Sequence, residues 1–179
     1  MTKTSIICNH KKEGIRVYLT TPENSGIKGF LKLVDYYQYH APMIDSIHSA
    51  DYELSEEEQD ELIARMLSEA KLKTRSKFLY RLQKNSLELM DLDGDELCLK
   101  CARMICSKMK DETDLASLLR HIRNSLAHGR LYVKKTKNQT FILLEDFDKR
   151  SKRITARILI TNAILIRWKK VLIQANSLE

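Results

Sequence analysis

The segment from Arg123 to Gly129, read Arg-Asn-Ser-Leu-Ala-His-Gly, places three chemically useful side chains at the end of a predicted helix. The guanidinium of Arg123 suits a phosphate group, because its donors form a planar fork. The amide of Asn124 can hold a ligand or a neighbouring side chain. The imidazole of His128 can move protons near neutral pH, and the negative end of the helix favours its protonated form. These groups match what metal-independent cleavage of an RNA phosphodiester requires.

The helix that carries this segment is predicted from Asp114 to His128. At 100° per residue, Arg120, Asn124 and His128 lie on one side, and Arg123 lies at its border. The opposite side is an apolar stripe with helical spacing, formed by Leu115, Leu118, Leu119, Ile122 and Leu126. Arginine and histidine near a helix C-terminus also commonly cap its last carbonyls. Local chemistry alone therefore leaves a purely structural role open.

The composition indicates one soluble globular domain of 179 residues with a net charge of +7. Only 5 glycines and 2 prolines are present, which favours long helices over a turn-rich β fold. No apolar run reaches the roughly 20 residues that a membrane span needs. The N-terminal sequence also lacks the apolar stretch and cleavage site of a secretory signal. We therefore expect a cytoplasmic protein that has no membrane partner.

Basic residues cluster in the chain after an acidic helix start. The run from 71 to 84 has no acidic residue and contains, among others, Lys73, Arg75, Lys77 and Arg81. A second basic group lies between Lys149 and Arg157. Such runs are often simply solvated faces, but they also fit the phosphates of a nucleic acid.

The 4 cysteines leave two interpretations open. Cys98 and Cys101 have the spacing of a metal or redox pair, and Cys8 with His10 could complete a zinc site. In a predicted helix from Asp95 to Met109, however, these thiols pack as small apolar groups. We favour packing, and we expect neither a metal nor another cofactor.

Hydrophobic periodicity predicts a mainly α protein, an up-down helical bundle with one β-hairpin inserted before the last long helix. A first helix begins near Ile27 and breaks near Pro42, and Ser55 with Glu58 forms a capping box for the next. The hairpin strands are predicted at Leu131–Lys135 and Thr140–Phe147. The last helix is predicted from about Ser151. We interpret residues 1–26 as an N-terminal extension, with a weak strand at Ile15–Leu19, and residues 27–179 as a single domain.

An Arg-Asn-x-x-x-His-Gly string that ends the penultimate helix of such a set resembles the HEPN superfamily. Its signature is an arginine, four to six residues, and a histidine, which here map onto Arg123 and His128 with Asn124 as the polar residue after the arginine. The resemblance covers residues 27–175 as architecture, but only the seven-residue motif is specific. The hairpin followed by a long helix resembles branches found on bacterial mobile elements.

This resemblance implies a compact helical bundle and a metal-independent endoribonuclease of a toxin, defence or RNA-processing system. His128 would be the acid and base, Arg123 would stabilise the phosphate, and Asn124 would orient the reacting groups. Members often dimerise, so two motif helices would face each other across a two-fold axis. Flanking RNA phosphates would contact further basic residues, namely Arg120, Arg130, Lys73, Arg75, Lys77 and Arg81.

Some features depart from the family pattern. HEPN toxins paired with nucleotidyltransferases carry a tyrosine two residues after the histidine, where this chain has Arg130. The resemblance therefore does not extend to control by that kind of partner, although an antitoxin or another regulator fits the family. The alternative function is a non-catalytic HEPN module that binds RNA or a nucleotide.

Overall fold

The computed structural model describes residues 11, 13–14, 26–41, 54–72, 87, 92, 94, 96–98 and 102–176. In these ranges, helix α1 (Phe30–Asp35) continues into a π-helical turn at Tyr36–His40 and is followed by α2 (Glu56–Glu69), α3 (Asp114–Ala127) and α4 (Asn162–Asn176). The strands are β1 (Glu13–Gly14), β2 (Glu96–Leu97), β3 (Arg103–Cys106), β4 (Leu131–Lys135), β5 (Thr140–Phe147) and β6 (Ile154–Thr161).

A four-stranded antiparallel sheet is the centre of the described fold. Its strand order is β3-β6-β5-β4, and β1 pairs separately with β2. The helices cover one face, where Ile142 and Leu144 of β5 join the main hydrophobic core. The opposite face carries Leu143 and Leu159, which pack with Leu92 and Leu97 of the preceding segment. Both faces of the central strands are therefore buried.

The prediction of a mainly α bundle is wrong, because the protein is a mixed α/β structure. The predicted helix from Asp95 to Met109 is replaced by β2 and β3. All residues of Arg103–Cys106 are buried, since both sides of this strand are covered. A strand that is buried on both faces loses its polar alternation, so its sequence looks like a buried helix.

The long helix predicted from Ser151 is also wrong in its first half, which forms β6. The apolar run from Ile158 to Ile166 crosses the junction between strand and helix. At this junction the Ile164 N–H donates to the Thr161 hydroxyl at 3.3 Å, which caps the start of α4. Thr161, a small capping residue within this largely apolar run, therefore marks the boundary between the two elements.

Other predicted elements are confirmed. The two hairpin strands have the predicted bounds. Ser55 and Glu58 form the capping box of α2, with the Glu58 N–H donating to Ser55 Oγ at 3.3 Å. Two predictions, the strand at 15–19 and the break near Pro42, lie outside the described residues, as does the continuation of the α2 stripe over residues 73–86.

Long-range hydrogen bonds join the helices above the sheet. The indole of Trp168 on α4 is fully buried and donates to the Met66 carbonyl of α2 at 2.5 Å. The hydroxyl of Tyr37 donates to the Leu165 carbonyl at 2.7 Å, which holds the π-helical turn on α4. None of the helices in the described ranges has the length and apolarity needed to cross a membrane.

A buried ion pair fastens the segment before β3 to the second face of the sheet. Arg157 of β6 lies opposite Glu145 of β5 and donates to its Oε1 atom at 2.5 Å. The same guanidinium donates to the carbonyls of Leu92 and Gly94. Both charged groups are buried and have lost their hydration. Each therefore depends on its partner to compensate for the free energy of that lost hydration.

We expect Arg157→Met to lower the free energy of unfolding by about 3–5 kcal/mol, because Glu145 would keep a buried charge without its partner. Urea denaturation measures this loss. The double variant Arg157→Met/Glu145→Leu should recover much of it, and the exposed change Lys149→Met serves as the control. An Arg157→Met protein as stable as the wild type would contradict this account.

Candidate functional site

The C-terminus of α3 is closed by its own backbone. The Arg130 N–H donates to the Ser125 carbonyl at 2.8 Å, and the Gly129 N–H donates to the Leu126 carbonyl at 3.1 Å. This pair of bonds is a Schellman motif. Gly129 has a φ of 63°, the left-handed conformation that glycine adopts without strain. The helix therefore ends as the sequence predicts, with His128 as its C-cap residue.

The side chain of His128 is exposed at this cap. Backbone N–H groups already satisfy the carbonyls of Ser125 and Leu126, so the imidazole is not required as a capping group. Among the described residues none hydrogen-bonds this imidazole. The structural alternative for the motif therefore does not explain His128, whose ring remains accessible to a ligand.

Asn124 lies one helical turn before His128 and connects the motif to the sheet. Its half-buried amide donates from Nδ2 to Oδ2 of Asp146 at 3.0 Å. Asp146 is near the end of β5 and its side chain faces α3. The hairpin predicted from sequence thus supplies a carboxylate to the motif helix.

The same carboxylate receives a second side chain of α3. His121 is fully buried, and its Nδ1 lies 2.7 Å from Asp146 Oδ2. The other ring nitrogen, Nε2, lies 2.8 Å from the Ser107 carbonyl next to β3. Burial alone would raise the pKa of Asp146, but hydrogen bonds from His121 and Asn124 outweigh it and lower the pKa below its usual value.

Arg120 is engaged by an acid of the segment before α3. Its Nε and Nη2 atoms donate to the two carboxylate oxygens of Glu112 at 2.6 and 2.8 Å, and its side chain is only 17% exposed. Burial opposes the charge of Glu112, but hydrogen bonds from Arg120 and from the Met109 N–H lower its pKa overall. An RNA phosphate at Arg120 would have to compete with this carboxylate.

The remaining predicted site residues have different surroundings. Arg123 is half-buried on α3. The Arg130 guanidinium lies 4.4 Å from the centre of the Phe147 ring, a cation–π contact that leaves it near the end of α3. The predicted phosphate-binding residues Lys73, Arg75, Lys77 and Arg81 lie outside the described residues.

Sequence reasoning missed His121 and Asp146. His121 lies next to the apolar stripe and before the motif, and its burial depends on an acid 25 residues away that hairpin pairing brings to it. Aspartate in a predicted strand was the available signal, since strands are depleted in this residue. Its partner could not be identified before the sheet was known.

The thiols show no metal chemistry in the described part of the chain. Cys98 and Cys106 are buried free thiols, and burial raises the pKa of Cys106 well above its usual value. Within the described residues no cluster of histidine, cysteine and acidic groups could hold a metal ion. Cys8, His10 and Cys101 lie outside these residues, so the zinc alternative remains untested.

Comparison with known families supports the resemblance drawn from the motif. The family described as HEPN pEK499 p136 matches residues 49–174, a range that includes α2, α3, the central sheet and most of α4. No curated protein and no solved structure matches the chain significantly. The family match indicates a nuclease or RNA-related role in general terms.

We expect Asp146→Asn to lower the free energy of unfolding at neutral pH by about 1–3 kcal/mol, because an amide has one acceptor oxygen and cannot accept from His121, Asn124 and the Phe147 N–H together. The depressed pKa of Asp146 stabilises the fold above the unfolded aspartate pKa of about 3.9. That contribution is lost as the pH falls through the lower folded-state pKa. The difference between wild type and variant should therefore shrink in acid.

Urea unfolding at a series of pH values from neutral to about 3 measures this difference. The exposed substitution Asp111→Asn controls for the change of net charge. A difference that stays constant over the whole range would contradict the assigned role of the Asp146 carboxylate.

Proposed function

Since the chain belongs to the pEK499 p136 family of HEPN domains, we propose that it is a metal-independent endoribonuclease that acts through Arg123, Asn124 and His128. This proposal makes the general RNA-related role of the family specific to one reaction and one set of residues. The exposed imidazole of His128 is the observation that carries it, because this side chain takes no part in ending its helix.

The reaction proposed is transesterification within the RNA strand. His128 in its neutral form removes the 2′-hydroxyl proton, the 2′-oxygen attacks the adjacent phosphorus, and the bond to the 5′-oxygen breaks. An imidazolium returns a proton to that leaving oxygen. Arg123 stabilises the additional negative charge on phosphorus, as a guanidinium fork does for phosphoryl oxygens.

The geometry of α3 favours a site built from two copies of the chain. Arg123 and His128 are five positions apart, so their directions differ by about 140° around the helix. A second motif helix, placed opposite across a two-fold axis, supplies an arginine to the histidine side of the first. One cleft would also then hold two histidines, one for each proton transfer.

Basic residues around the motif would bind flanking phosphates. Arg130 is placed for this next to the helix end, and Arg120 would do so by sharing its guanidinium with Glu112. The run that includes Lys73, Arg75, Lys77 and Arg81 would extend this surface. We further propose a toxin or defence role, in which an antitoxin or other regulator restrains the activity.

We expect His128→Ala to reduce cleavage of a labelled RNA by about 100-fold or more, since general acid–base groups commonly contribute that much. Arg123→Ala should also be strongly impaired, and Arg123→Lys should retain only part of the activity because lysine lacks the fork. The assay contains a chelator. His40→Ala, a change at an exposed histidine outside the motif, and Cys98→Ser are the controls.

The outcomes separate the candidate functions. Cleavage that persists in His128→Ala would overturn the proposal. Salt-sensitive RNA binding without cleavage would favour the non-catalytic binding module instead. Growth inhibition on expression in bacteria, present for the wild type and absent for His128→Ala, would support the toxin role.

We expect an Arg123→Ala protein and a His128→Ala protein to recover part of the activity when mixed, because a mixed dimer places one intact arginine beside one intact histidine in its cleft but lacks the second histidine. The measurement is RNA cleavage after unfolding and refolding the two proteins together, with each variant alone as the control. Sedimentation should show a dimer. Mixed dimers that stay as inactive as either parent would contradict a shared site.

A further inference from the structure

The carboxylate of Asp146 is surrounded by hydrogen-bond donors. Its Oδ2 faces Nδ1 of His121 at 2.7 Å and Nδ2 of Asn124 at 3.0 Å, and its Oδ1 accepts the Phe147 N–H at 2.8 Å. An ionised carboxylate accepts on both oxygens, whereas an amide of the same shape has a donor in one of the two positions. Only the acid matches all three contacts.

The ring of His121 holds this carboxylate from within the protein. Its Nε2 faces the Ser107 carbonyl, which can only accept, and its Nδ1 faces the ionised Asp146. Both ring nitrogens therefore have a hydrogen-bond partner. This hydrogen-bonded pair is buried, and its position is set by α3 on one side and by the sheet on the other.

This arrangement decides the orientation of the Asn124 amide. An Oδ1 turned toward Asp146 would place two acceptors in contact, so Nδ2 must face the carboxylate. The carbonyl oxygen Oδ1 therefore points away from Asp146. Within the described part of the chain this oxygen accepts no hydrogen bond, and Asn124 is only half-buried. The motif thus presents a fixed acceptor to which no donor among the described residues is hydrogen-bonded.

The acceptor lies beside the proposed acid–base residue. Asn124 and His128 are four residues apart, so they share one face of α3 with about 5–6 Å between their Cβ atoms. A group that binds Oδ1 must bring a donor, and a ribose 2′-hydroxyl is such a group. Deoxyribose has no donor at that position.

We propose that Asp146, held by His121, is a positioning residue that orients Asn124 so that its Oδ1 accepts a hydrogen bond from the 2′-hydroxyl of a nucleotide next to the one that is cleaved. This inference rests on the proposed function, which places the RNA at the motif. It further assigns Asn124 Oδ1 as the atom that distinguishes ribose from deoxyribose. A site that hydrogen-bonds a hydroxyl discriminates against analogues without it, because its own polar group is then left unpaired.

The experiment measures binding by the His128→Ala protein, which the proposed mechanism makes unable to cleave. The probes are an RNA oligomer, a 2′-fluoro oligomer and a DNA oligomer of the same sequence. The 2′-fluoro group keeps an RNA-like sugar but cannot donate a hydrogen bond. We expect RNA to bind about 3- to 10-fold more tightly than the 2′-fluoro oligomer, which corresponds to one hydrogen bond.

Two further changes in this background test the positioning role. Asn124→Ala and Asp146→Asn should each reduce the RNA to 2′-fluoro affinity ratio to about 1, and the double variant should lose nothing more. Glu145→Gln is the matched control: it neutralises the adjacent buried acid of β5, whose side chain pairs with Arg157 instead. It should change stability and overall affinity but leave the ratio intact.

A ratio is insensitive to partial unfolding, because an inactive fraction lowers the affinity for each probe equally. Retention of the full ratio in Asp146→Asn, or equal loss in Glu145→Gln, overturns the inference. So does a His128→Ala protein that binds RNA and the 2′-fluoro oligomer equally. If the ratio behaves as expected while the wild type cleaves no RNA, the positioning role stands and the nuclease proposal fails.

Discussion

The buried pair of His121 and Asp146 is the interaction on which the motif helix depends. It joins the middle of α3 to the end of β5, and the Ser107 carbonyl extends it to the segment after β3. Ser117 and Arg120 donate to that same carbonyl, so three side chains of one helix converge on a single oxygen. Buried polar groups require good hydrogen-bond geometry from both partners, and this requirement fixes how α3 lies on the sheet.

The sheet makes this arrangement possible because successive residues of β5 point to opposite faces. Glu145 faces one way and pairs with Arg157, which holds the segment around Leu92 and Gly94. Asp146 faces the other way and holds α3. Two adjacent acids thus fasten two different layers to one strand. A shift of one residue in the register of β5 would turn each acid to the opposite face, where its partner is absent. The two contacts therefore require the observed register.

The motif itself combines fixed and accessible groups. Asn124 is held by the sheet through Asp146, while His128 lies at a helix end that the backbone closes without it. A catalytic group needs both properties from its surroundings: orientation by the fold and access for the substrate. Arg123 projects to another side of the helix, which is why a second copy of the chain enters the proposed mechanism.

The sequence by itself determined the local features of this protein. Periodicity and capping residues gave the helices α2 and α3, the glycine stop at Gly129 and both strands of the hairpin, because these signals act between residues a few positions apart. The motif gave the family. The hydrophobic pattern did not reveal that Arg103–Cys106 and Ile154–Thr161 are strands, because burial on both faces removes the alternation that identifies a strand. Only the tertiary structure decided which polar groups meet, since the carboxylate beside His121 and Asn124 is brought there by the packing of the paired strand β5 against α3, and no local pattern encodes that contact.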